Sequence, residues 1–388
     1  MDVGSSNGAW LMNGVQPNTA TAPGLVSTTL TWETIQSYNI GLDWGLLNNR
    51  LTGSFDYYIR DTKDMVGNAP ALPAILGTNV PVTNNTDLRT AGWELSIGWN
   101  DRLNNDFAYS ARLNISDART KITRYPNNPT NAVDTYITGR YINEIWGYTT
   151  IGIAKTDDEM KEHLATLPNG GQNALGTNWT AGDIMYADIN GDGKITGGSG
   201  VLGDTGDRKV IGNHTPRYLF GLDLNASWKG FDVRVFFQGV MKRDYWQGSN
   251  YLFGASGNGM WQANGLEPIH DYFRDENSWS VKNGYQGVNT DSYLPRPLYN
   301  GKNLQTQSRY LQNAAYIRLK NLQIGYTLPV KVTSRCGIRS LRLYLSGENL
   351  WTGTSLVEQF DPETISGGSG GIGSPLSKTL SCGLSITL

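Results

Sequence analysis

Leu380-Ser381-Cys382-Gly383-Leu384-Ser385-Ile386-Thr387-Leu388 decides the fold class. Apolar and small polar residues alternate here without a break. A period of two places Leu380, Cys382, Leu384, Ile386 and Leu388 on one face of a β-strand and Ser381, Gly383, Ser385 and Thr387 on the other. Eight further stretches share the pattern: Tyr38–Leu46, Leu51–Ile59, Trp93–Trp99, Phe107–Ile115, Tyr218–Trp228, Phe231–Gly239, Leu322–Leu328 and Leu341–Leu345. No position on their apolar faces is charged, although 17% of the chain is. Small, polar or charged residues make up the opposite faces, among them Asp43, Asp56, Arg60, Glu94, Arg112, Asp223, Asp232, Arg234 and Arg342.

The connections between these strands alternate in length. Residues 47–50, 100–106, 229–230 and 329–340 are short turns, whereas 61–92, 118–216, 240–315 and 350–377 are long. Structureless loops beyond about 15 residues are uncommon in a compact soluble domain. Short turns on one rim and long loops on the other are the rule in a transmembrane β-barrel. The expected class is therefore all-β, an antiparallel transmembrane barrel wall of about nine strands, with 37–388 as barrel and 1–36 as an extracellular loop remnant. Tyr38, Trp44, Trp93, Trp99 and Trp228, near segment ends, suit interfacial aromatic girdles. Nine strands cannot close antiparallel on themselves, so the remaining wall is expected upstream.

Composition agrees with this class. The chain has 388 residues, with 32 Lys+Arg against 34 Asp+Glu. Near-neutral charge argues against a nucleic-acid surface. Three His and two Cys offer little for a zinc site or a disulfide framework. Mean hydropathy is −0.40. No run of about 18 apolar residues occurs, which excludes helical spans but not strands. Neither H-E-x-x-H nor a P-loop is present, and no carboxylate pair is placed by pattern for glycoside hydrolysis. The chain reads as a non-enzyme. The competing reading is a soluble or surface-exposed β-sheet module, an adhesin or carbohydrate binder, since alternation alone also fits a sheet with one wet face.

Several blocks resemble the C-terminal half of SusC/RagA-type TonB-linked outer-membrane transporters of Bacteroidetes. They are Thr31-Trp32-Glu33 through Asn39-Ile40-Gly41-Leu42-Asp43, Asn49 to Tyr58, Ala91-Gly92-Trp93-Glu94-Leu95 and Asp188 to Ile195. Asp207 to Asn213 with Pro216-Arg217-Tyr218, Tyr316 to Pro329, Ser346-Gly347-Glu348-Asn349-Leu350 and Asp361-Pro362-Glu363 complete the set. The resemblance implies a 22-stranded barrel in the outer membrane, a plug, energy from the TonB complex and a SusD-like surface lipoprotein as partner. Its cargo would be oligosaccharide or peptide, and the dry face would meet outer-membrane lipid.

Three local features are candidate sites. Asp188-x-Asn190-x-Asp192-Gly193-Lys194 spells the first half of an EF-hand-type loop, with hard oxygen donors at alternate positions for Ca²⁺. Ser199 stands where the bidentate Glu belongs, and Asp204 or Asp207 could replace it. The Lys194 carbonyl would be the seventh-position ligand. The alternative is an Asx-rich turn without metal. Thr156-Asp157-Asp158-Glu159 reads as a capping box opening a helix to about Leu167, with His163 on its surface. Trp246, Trp261 and Trp279 in the aromatic loop 240–315 could stack on sugar rings, or else pack loops together or meet the lipoprotein. Cys336 falls in a periplasmic turn and Cys382 on the lipid face.

Overall fold

The computed structural model describes residues 5–7, 11–16, 18–20, 27–69, 80–104, 106–248, 250–253, 270–298, 300–366 and 373–388. Nine long strands form one sheet: β1 Thr34–Leu46, β2 Leu51–Gly67, β3 Thr83–Arg102, β4 Phe107–Arg124, β5 Arg217–Trp228, β6 Phe231–Lys242, β7 Tyr316–Thr327, β8 Ser340–Thr354 and β9 Thr379–Thr387. Their order in the sheet follows the chain, and β1 and β9 are its two edges. The pairings β4–β5, β5–β6, β6–β7, β7–β8 and β8–β9 are antiparallel. The all-β meander expected from alternation is thus present, with the same nine segments.

The strands are longer than the alternating stretches. β2 runs on to Gly67, β3 begins at Thr83, β4 continues to Arg124 and β8 to Thr354. The loops expected at 61–92, 118–216 and 350–377 therefore begin later, after Gly67, Arg124 and Thr354, and the first also ends earlier, before Thr83. Where both faces of a strand are wet, the dry face has no reason to stay apolar, and the period-two signal fades before the ladder does.

The sheet inverts the usual placement of apolar surface. Ile40 is 72% exposed, Leu345 65% and Leu380 81%. The buried core lies elsewhere, in the long connections: Met160, Ile184, Tyr186, Ile195, Tyr310 and Ile365 are all sealed from solvent and belong to one cluster. A sheet whose apolar side chains stand outward is stable only against another apolar phase.

The chain divides into two compact units. The first comprises 1–38, 59–90 and 120–140. Within it Arg89 grips Asp61 through Nε and Nη2 at 2.6 and 2.8 Å, and Arg124 donates to Asp87 at 2.8 Å and Asp64 at 2.7 Å. The second comprises 39–58, 91–119 and 141–388 and holds the loop core. There α1 spans Asp157–Ala165, and the Thr156 hydroxyl caps it by accepting the Glu159 N–H at 3.1 Å, as its sequence dictates. Glu159 accepts the Lys155 N–H rather than that of Thr156. His163 is half-buried, 3.1 Å from the buried Gln172 side chain, and not a free surface residue. Burial pushes its imidazole pKa down, opposed by that contact.

Candidate functional site

The polar face of the sheet is a surface of paired charges. Near the short turns, Arg50 lies 3.3 Å from Asp101, Arg234 donates to Asp223 at 2.6 Å, and Arg342 Nε donates to Asp232 at 2.9 Å while also reaching Gln323. Arg50, Asp101, Asp232, Arg234 and Gln323 line a concavity of about 690 Å³. Farther from those turns a second concavity, about 530 Å³, is lined by Asp56, Glu94, Asn114, Gln238 and Tyr316, with no Lys or Arg. Such a face carries ions and hydroxyls that water or a polar solute can meet. Within the nine alternating stretches the opposite face carries no charged side chain.

Some apolar side chains nevertheless lie on the polar face, which the alternation had assigned to small, polar or charged residues. Leu219 lines the second concavity, Phe236 covers Gly221, and Tyr344 covers Gly383, its cross-strand partner. A ring lying over a glycine shields backbone that would otherwise be bare. Arg342 stacks over the same Tyr344 at 5.1 Å. On the apolar face, Trp44 covers Gly53 in the same way. Trp228 and Phe231, about half-exposed, flank the tight turn 229–230 as a girdle should.

The long connections are held together by Asp183. It is fully buried and accepts from Arg296 twice at 2.8 Å, from Lys302 at 2.7 Å, from Asn303 at 2.9 Å and from the Thr180 N–H at 2.9 Å. Burial alone would raise its carboxyl pKa. These donors outweigh burial and hold it below the usual range. No sequence pattern pointed to this hub, since Arg296, Lys302 and Asn303 lie more than a hundred residues from Asp183.

The acidic turn is wound as the sequence spacing requires. Asp188 accepts the N–H groups of Gly191 and Gly193 at 2.6 and 2.8 Å, Asn190 accepts that of Asp192, and Asp192 that of Lys194. Asp207, sealed from solvent, faces the Ile189 and Thr196 amides. Burial pushes its carboxyl pKa up, against the amide bonds and with added repulsion from Asp188 and Asp192. Among the described residues no three His, Cys, Asp or Glu side chains are arranged to hold a metal. The donor set is an Asx turn closed on its own amides, and the geometry adds nothing to the calcium expectation.

The tryptophans separate. Trp246 is half-buried against the loop core, its ring centroid 6.1 Å from that of Phe253. Trp279, at the start of the short helix Trp279–Lys282, is 71% exposed and stacks with the equally exposed Tyr285 at 5.3 Å. Trp261 lies outside the described residues. Cys336 and Cys382 are both exposed and free, one in the short connection between β7 and β8, the other on the apolar face of β9.

With the two-faced sheet in place, comparison with known proteins decides the family. The profile described as "TonB dependent receptor-like, beta-barrel" matches residues 4–241. The chain belongs to that family. TonB-dependent receptor P3 of Formosa agariphila is 32% identical over 90% of this chain and 32% of its own length. SusC of Bacteroides thetaiotaomicron is 24% identical over 89% of this chain and 31% of its own. The chain thus spans about a third of the length of these relatives. Among solved structures, the RagAB peptide transporter superposes with a TM-score of 0.68 at 23% identity, covering 99% of this chain and 38% of that one. The chain is part of a TonB-dependent receptor β-barrel of the outer membrane, and its family is one of receptors rather than enzymes.

Proposed function

We propose that the chain forms part of the wall of a TonB-driven outer-membrane importer of oligosaccharide or peptide, working with a SusD-like surface lipoprotein. One observation carries the reading: a single sheet turns exposed leucines and isoleucines to one side and paired ions to the other. A soluble adhesin or carbohydrate-binding module would have to cover the first side, and nothing among the described residues does. The long connections, with their own core, form the outer vestibule where cargo and lipoprotein arrive. Trp279 and Tyr285 are the proposed contact for a cargo ring or for the lipoprotein.

Uptake of labelled oligosaccharide and peptide pools by cells carrying or lacking the whole protein tests this reading. Uptake should depend on the protein and collapse when the proton-motive force is discharged. Uptake that survives discharge removes the TonB-driven reading. Trp279→Ala should weaken capture at the cell surface without lowering the amount of folded barrel, because the ring is 71% exposed.

A further inference from the structure

Two sequence blocks that local reading left unrelated meet at the long-loop end of the sheet. Arg318 and Lys320 belong to β7, and Asp361 and Glu363 to the segment 355–366 after β8. Arg318 donates to Asp361 through Nη2 and to Glu363 through Nη1, both at 2.7 Å, and to the Thr352 hydroxyl through Nε at 2.8 Å. Its side chain is 3% exposed. Lys320 donates to both Glu363 oxygens at 2.9 and 3.0 Å and to Asn349 at 3.2 Å.

A bulge makes this possible. Lys320 has no partner in the register with β6 or in that with β8. Opposite it, β8 inserts Asn349, at φ 52°, and Leu350. The extra residue keeps Arg318 and Lys320 on the polar face together with Gln323, while Ile317 and Ile324 stay on the exposed apolar face. The segment that carries Asp361 and Glu363 therefore lies against the polar face. It is pinned there by three apolar anchors, Leu356, Phe360 and Ile365. The Ile365 carbonyl also accepts from the Tyr245 hydroxyl at 3.0 Å.

We propose that residues 355–366 are an ionic strap: a segment latched by Arg318 and Lys320 onto the inner face of the wall, where it narrows the lumen. The proposal rests on the wall reading, since only a pore wall has a lumen to narrow. A guanidinium that is 3% exposed and loses both carboxylates keeps no counter-charge, so neutralising the acids should free the strap.

The test uses the whole outer-membrane protein carrying this chain. In Asp361→Asn/Glu363→Gln, hydrogen exchange in peptides from 355–366 should quicken at least tenfold, while exchange around 184–186 stays as in the wild type. Cells with this variant should admit vancomycin, a bulky hydrophilic solute, several-fold faster. Lys320→Met, which leaves Arg318 both carboxylates, should show a smaller rise in exchange. Unchanged strap exchange overturns the latch, and so does an equal rise throughout the loop core. Faster exchange without faster entry overturns the constriction. Failure of wild-type cargo uptake would sink the import reading alone, because the exchange measurement does not depend on transport.

Discussion

Lys302 Nζ lies 2.7 Å from Asp183 Oδ2, both side chains all but sealed from water, although 119 residues separate them. This pair ties the connection after β4 to the one after β6. Removing one partner of a buried pair typically costs about 3–5 kcal/mol, because the other charge is stranded. Lys302→Met should therefore lower the unfolding free energy of the loop core by that order, read by denaturant titration of the detergent-solubilised barrel. A loss below about 1 kcal/mol would show that Arg296 and Asn303 suffice.

The same hub gives a pH dependence. The Asp183 carboxyl is held below its ordinary value by its donors, against burial. Its stabilisation is thus complete above the unfolded pKa of about 3.9 and is lost as pH falls through the lower folded value. Protection factors around Ile184 and Tyr186, taken against the intrinsic exchange rate at each pH, should be flat from pH 7 to 5 and fall only in the acid range. A fall already near pH 6 would point to another group.

Leu384 and Ser381 lie on opposite faces of β9. Leu384→Arg should cost about 2–4 kcal/mol if its depth is near the bilayer midplane, whereas Ser381→Arg should cost little. Folding yield into lipid vesicles measures both. The native thiols report independently: a charged maleimide should modify Cys336 freely, and Cys382 should yield only to a lipophilic one. Equal reactivity in vesicles would contradict the lipid-facing assignment.

A side chain at Gly383 would overlap the Tyr344 ring on the neighbouring strand. Gly383→Val should block assembly of the β8–β9 edge, and adding Tyr344→Ala should restore part of the folded yield. If the double variant folds no better than the single one, the ring is not what excludes the side chain.

The acidic turn should not need a metal. Asp188 already binds two backbone amides, so Asp188→Ala should cost about 1–3 kcal/mol locally through unpaired N–H groups. Exchange in residues 188–196 should rise in that variant and stay unchanged when EDTA is added to the wild type. A clear response to EDTA would support a divalent metal at this turn.

Sequence by itself determined the nine strands, which face of each is dry, the alternation of short and long connections, and the Thr156 cap. Each of these is local: a period of two, a turn residue or a cap speaks through neighbours a few positions away. Only the tertiary structure decided where strands end beyond the apolar stretch, that the core sits in the loops, and that Asp183 meets Lys302 and Arg318 meets Glu363. Those pairings join residues far apart in the chain, and isolated polar side chains carry no periodicity to announce them. Their partners are chosen by which loops the sheet brings side by side.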